Sequence, residues 1–182
     1  YFPWYKMKVL IISSNSDRAG VPIHIKHLVT DYVPDIDYVM VFGGNGPITQ
    51  DLQSSSHRVY CCPSLRSKIS IRDDLLSFHY LLRLVKSECP DVIHVHSAKA
   101  ALLGRLVAII SGKAIVYTVH GWGWRGLGPL MASLIYSIEG IMSLLPKQRY
   151  IFVAKNIVRE FPLIPYYWKL FPSRCEIIPN GI

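Results

Sequence analysis

The chain has 182 residues, 51% of them hydrophobic, and 20 Lys and Arg against 12 Asp and Glu give a formal charge of +8. That length suits one domain or two small ones, and that hydrophobic share excludes a disordered chain. The positive balance calls for an anionic partner such as a nucleotide, a phosphorylated substrate or a membrane surface; the basic residues are scattered rather than clustered, which argues against nucleic acid.

Residues 1–7 read as an upstream extension or an expression remnant, ahead of a first strand, Lys8–Ser13, whose KVLIIS is apolar throughout. Continuous apolar character marks a strand buried on both faces. A polar loop, Ser14–Gly20, leads into a helix starting near Val21. Pro22 suits its first turn, and Ile25, Leu28, Val29 and Tyr32 share one face. Tyr38–Phe42 is a second strand, closed by Gly43–Pro47, and Arg58–Cys62 a third. Asp73 or Asp74 is the expected cap of a helix over Leu75–Glu88, which Pro90 ends.

Asp91–His96 and Ala114–Val119 are the fourth and fifth strands, on either side of a helix over Ala98–Ile110. A long helix around Met131–Leu145, a sixth strand at Tyr150–Val153, a short helix at Asn156–Phe161 and a last strand at Glu176–Ile178 complete the pattern. Strand alternating with helix implies a parallel sheet covered on both faces, a Rossmann-like doubly wound α/β domain. The apolar run Leu127–Leu145 is long enough to cross a bilayer, but it carries Glu139, three serines and two glycines. It reads as a buried or interfacial helix.

In such a sheet ligands bind beyond the carboxyl ends of the strands. Three segments stand there. Gly20 and Val21 open the first helix, where backbone N–H groups and the helix dipole favour a phosphate or carboxylate, though a plain turn is an equal alternative. Ser97 is placed to cap the next helix, and Lys99 puts a cation at its start, a small cost that a bound anion would offset. His120, Gly121 and Trp122 follow the fifth strand: an imidazole able to bond a sugar hydroxyl or act as a base, a gap, and a flat ring beside Trp124. His24, His27, His94 and His96 are assigned to the core or the rim. No histidine pair has a visible third ligand, so no metal centre is expected. Arg105, inside an apolar helix, either turns inward or snorkels. Cys61, Cys62, Cys89 and Cys175 form no CxxC pair and read as reduced thiols of a cytoplasmic protein.

Five segments then fall together: KVLIIS with AGVP, RSKISIRDDL, PDVIHVHSAKAALLGRL, IVYTVHGWGW and EIIPNGI. In this order they resemble the N-terminal domain of glycosyltransferase family 4, retaining enzymes of GT-B fold, and are most similar to bacterial members that build polysaccharides and lipid-linked oligosaccharides. Glu139, in YSIEGIM, matches a glutamate frequent in the family's long helix. The resemblance implies a domain over 8–178 that mainly binds the acceptor. Residues 179–182, with Asn180 and Gly181, would begin the crossover to a C-terminal domain holding most of the nucleotide-sugar. It implies Gly20 near the donor diphosphate or the acceptor, His120 against the transferred sugar, and Ser97 and Lys99 on the acceptor side. The donor would be UDP- or GDP-linked, with no cofactor and no bound metal.

The sequence departs from the family in three places. The paired glutamates of the C-terminal domain are absent, so the chain alone is expected to be inactive. AGVP has one glycine where relatives often have two, and Val153-Ala154-Lys155 stands where a serine is common. Two alternatives accompany this reading: an acceptor-binding subunit of a split glycosyltransferase, peripheral on the cytoplasmic face of the inner membrane, and an epimerase of sugar nucleotides on the same architecture.

Overall fold

The computed structural model describes residues 6–30, 35–160 and 172–180. Its elements run β1 (Met7–Ser13), α1 (Gly20–Thr30), β2 (Ile36–Phe42), α2 (Pro47–Ser54), β3 (Arg58–Cys61), α3 (Ile71–Glu88), β4 (Val92–His96), α4 (Ala98–Ser111), β5 (Ala114–Val119), α5 (Pro129–Ser143), β6 (Gln148–Phe152), α6 (Lys155–Arg159) and β7 (Cys175–Ile177). Tyr32, in the expected face of the first helix, lies outside the described residues, as do Phe161, Gly181 and Ile182.

All seven strands are parallel, in the order β3-β2-β1-β4-β5-β6-β7. The chain winds outward from β1 in one direction to β3, then returns and winds the other way from β4. The winding reverses between β1 and β4, which is where a doubly wound sheet opens a crevice.

Successive side chains of a strand face opposite ways. Leu10 and Ile12 therefore join one core, with Ile93, Val95, Leu81, Leu84 and Val107. Val9 and Ile11 join the other, with Met40, Phe42, Ile25, Val29 and Leu52. The first core lies under α3 and α4, and the second under α1 and α2.

Local chemistry sets the element ends. Ser70, not Asp73 or Asp74, caps α3: its side chain accepts from the Asp73 N–H at 3.4 Å, and the Asp74 carboxylate accepts from the Ser70 N–H at 3.4 Å. This resembles a capping box, except that the returning carboxylate comes from Asp74, one residue beyond the usual position. Cys89 ends the helix in the left-handed region, φ +49°, directly before Pro90. Helix α2, not expected from the sequence, begins on Pro47 and buries Ile48, Thr49 and Leu52. It spans 8 residues, too short for its periodicity to show.

Gly104 lets α4 lie close on the sheet. A Cβ there would stand 2.5 Å from Cγ1 of Val95. We expect Gly104→Ala to destabilise the domain by about 1–3 kcal/mol through overpacking, outweighing any gain in helix propensity. Urea unfolding checks this; a variant as stable as the parent would show that Val95 yields freely.

Helix α5 is inverted. Its buried residues are Glu139, Gly140 and Ser143. Its exposed ones include Leu130 (87%), Leu134 (53%) and Ile141 (67%), with Leu144 (70%) just past its end. Among the described residues no helix is long and apolar enough to cross a membrane. A buried ion pair anchors α5, beside the packing of Tyr136 on Trp124. Arg105 turns inward and forks onto Glu139 with Nη1–Oε1 at 2.8 Å and Nη2–Oε2 at 2.6 Å. Arg105 also donates to the Ala101 carbonyl at 2.9 Å and the Tyr150 hydroxyl at 3.3 Å, over the ring of Tyr117.

Candidate functional site

At the carboxyl ends of the strands beside the β1–β4 reversal, three elements bring histidines together: α1, β4 and the end of β5. The period of two explains how. Ile93 and Val95 face the core under α4, so His94 and His96 share the other face of β4. Tyr117 and Val119 do the same in β5, which puts Thr118 and His120 on the face of His94 and His96. In the sheet register His96 stands beside Thr118. Helix α1 brings His24 onto the same face from above.

The four imidazoles form one cluster. His94 Nε2 bonds the Thr118 hydroxyl at 2.8 Å. His96 Nδ1 lies 3.2 Å from His120 Nε2. The ring of His24 meets that of His120 edge-on, 4.9 Å between centroids, and His96 at 5.7 Å. His96 is fully buried and its Nε2 has no partner. His24 and His120 are half-buried and open the cluster to the crevice. The expected core or rim placement agrees with their burial, His96 inside and His24 at the rim; what the sequence did not show is that both gather around His120. The lack of a third ligand no longer holds, because ligand nitrogens of His24, His96 and His120 lie within 4.8 Å of one another.

Burial keeps these rings neutral. It is the main cause for each. It holds His94 at about 4, helped by His24 and His120, and His120 at about 4, helped by His24. His96 lies well below the ordinary value through burial and then His94, and His24 is lowered by burial and then His27. Unfolded histidines titrate near 6.5, so between about pH 6.5 and 4 the unfolded chain binds more protons and stability rises with pH. The contribution is complete above pH 6.5 and is lost as pH falls toward 4. We expect the urea midpoint to drop between pH 7 and 5, before the carboxylates titrate; a midpoint flat over that window would contradict a neutral cluster.

Ser97 differs from expectation. It makes no side-chain cap to α4. Its backbone sits at φ +75°, ψ 149°, a region rarely held by residues other than glycine and worth about 1–3 kcal/mol of strain. Its hydroxyl instead bonds that of Ser14 at 2.8 Å and accepts from the Ser14 N–H at 3.4 Å, tying the ends of β1 and β4 together. Lys99 is paired with Asp74 at 2.6 Å and bonds the Lys68 carbonyl. The partner that offsets its place at a helix start is thus a carboxylate of the chain itself. Trp122 is corrected as well: it is 4% exposed, stacks on Trp124 at 4.6 Å and donates to the Ile157 carbonyl at 2.8 Å. It packs the loop after β5 and offers no free face.

Gly20 and Gly121 remain open. A Cβ at either would meet nothing within 4 Å, so the protein itself does not require glycine there. Gly20 and Val21 start α1 at the crevice rim, and Gly121 follows His120. Asn180 is exposed beyond β7, away from the cluster's own strands.

Comparison with known proteins places this arrangement. The family model described as Glycosyltransferase Family 4 matches residues 19–182. UDP-Gal:alpha-D-GlcNAc-diphosphoundecaprenol alpha-1,3-galactosyltransferase of Escherichia coli is 31% identical over 147 residues, covering 80% of this chain and 37% of that protein. The chain thus spans well under half of that relative. Among solved structures, Anabaena HepE in complex with UDP-glucose aligns with a TM-score of 0.72 at 14% identity, over 97% of this chain and 44% of that one. The lipopolysaccharide outer core galactosyltransferase WaaB aligns at 0.65 and 12% identity, over 97% and 46%. A UDP-N-acetylglucosamine 2-epimerase from Rickettsia bellii aligns at 0.64 and 12%, over 97% and 45%. At these identities the three establish the fold alone: this chain matches one Rossmann-like half of two-domain proteins.

Proposed function

The chain belongs to glycosyltransferase family 4, and on that premise we propose that it is the acceptor-side half of an enzyme moving a sugar from a UDP-linked donor to a lipid-linked saccharide. The observation that carries this reading is the 31% identity over most of the chain to a galactosyltransferase whose donor is UDP-galactose and whose acceptor hangs on a lipid diphosphate.

The residues support a division of labour. His120, a neutral imidazole at the end of β5, accepts or donates a hydrogen bond to a hydroxyl of the transferred sugar. Gly121 and Gly20 leave space for the sugar and the donor diphosphate. The start of α1 supplies N–H groups and a positive dipole end. Ser97 holds the β1 and β4 ends in register on the acceptor side. The second half supplies most of the charge that stabilises the leaving diphosphate. The acceptor's lipid also accounts for α5. Its outward leucines and isoleucine, with Lys147 and Arg149 exposed nearby, suit docking on an anionic membrane surface, on the cytoplasmic side where nucleotide-sugars are made.

The test is transfer by a protein in which this half is joined to its donor-binding half. UDP-sugars, UDP-galactose first, are offered with an undecaprenyl-diphosphate-linked N-acetylhexosamine acceptor. Transfer is expected there and none from this chain alone. Turnover by the isolated chain, or none by the joined protein with any nucleotide-sugar, would overturn the reading.

A further inference from the structure

We propose that His24, His96 and His120 form a binding site for a divalent transition-metal ion of the zinc type, three imidazoles with the fourth position open to the crevice. The argument is geometric. Zinc takes imidazole nitrogens at about 2.0–2.1 Å in a tetrahedron, which sets the nitrogen-to-nitrogen edge at about 3.3–3.4 Å. His96 Nδ1 and His120 Nε2 already stand 3.2 Å apart. The nitrogen of His24 completes a set in which all three lie within 4.8 Å of one another.

The elements suit the task. His96 and His120 are fixed by adjacent parallel strands, β4 and β5, a rigid base for two ligands. His24 sits half-buried on α1, so a modest change of rotamer closes the last edge. His96 is fully buried and turns Nδ1 toward His120, so its packing fixes that ligand nitrogen in place. Gly121 leaves the approach clear, since nothing lies within 4 Å of where its Cβ would be. A water or a substrate oxygen would take the fourth position, as in open three-histidine sites. On the proposed function the ion and the transferred sugar compete for His120, so the ion inhibits transfer; the site itself does not depend on that reading.

The test needs no transfer assay. The untagged chain, freed of metal with chelator, is titrated with Zn²⁺ by calorimetry and with Co²⁺ by visible absorption. One ion per chain and the intense bands of tetrahedral cobalt are expected. His24→Ala removes a ligand from the open side of the cluster without touching the sheet, and should weaken binding by about tenfold or more. His27→Ala, on the exposed side of the same helix, should leave binding unchanged. Absence of stoichiometric binding, weak octahedral cobalt bands, or affinities that respond equally to His24→Ala and His27→Ala would each overturn the site. None of these results bears on whether the joined enzyme transfers sugar.

Discussion

Replacing His120 by Ala in the joined, two-half enzyme is expected to lower kcat by about 100-fold or more while changing KM little. The imidazole lies at the carboxyl end of β5, beside the reversal point of the sheet, and burial holds it neutral. A neutral ring placed by a strand is preorganised: on the proposed function its bond to the sugar would strengthen as charge develops at the reacting carbon, with no reorganisation needed. His120→Asn keeps a donor and an acceptor and should recover part of the loss. Neither variant should unfold, because His120 is half-buried and faces the crevice. A kcat within threefold of the parent would reduce His120 to a member of the histidine packing. A rise in KM alone would mean that it binds ground state and transition state equally.

The largest expected change in stability comes from the ion pair beneath α5. Removing Glu139 as Glu139→Ala leaves a guanidinium whose side chain is 1% exposed without its carboxylate. Burial by itself works against that charge, and Glu139, with smaller help from Tyr150 and Tyr117, more than reverses the effect. The cost of breaking such a pair is about 3–5 kcal/mol, a large part of the stability of a domain this size. The double variant Arg105→Met with Glu139→Leu should recover most of it, since an apolar replacement of both partners removes the orphaned charge. Urea unfolding of the three variants decides. A Glu139→Ala domain losing less than 1 kcal/mol would mean that water or Tyr150 takes over the guanidinium. Glu139 is one of three buried residues of α5. Beside it, Tyr136 packs on Trp124 and Gln148 donates to the Met142 carbonyl at 3.1 Å.

The sheet was legible because its strands are β-branched runs broken by polar loops. β5 spans Ala114–Val119, the segment read from the sequence. The GT-B half and the family were legible from motifs in order. The cluster around His120 was not, because its members come from three elements and no linear spacing joins His24 to His96 and His120. One signal was available: the alternation in Val92-Ile93-His94-Val95-His96 and in Thr118-Val119-His120 places histidine and threonine together on one face. Trp122 was misread because an aromatic next to a site residue is as often core as wall; only the Ile157 carbonyl reveals which. Ser97 was taken for a cap because serine before a helix usually is one. Its positive φ turns the hydroxyl back to Ser14 instead.

The most direct measurement is a crystal structure of the joined enzyme with an intact UDP-sugar. A hydroxyl of the transferred sugar within about 3.2 Å of the His120 imidazole, with the diphosphate passing near Gly20, is the predicted result. A donor sugar bound away from the β4 and β5 ends, leaving the histidine cluster unvisited, would contradict it.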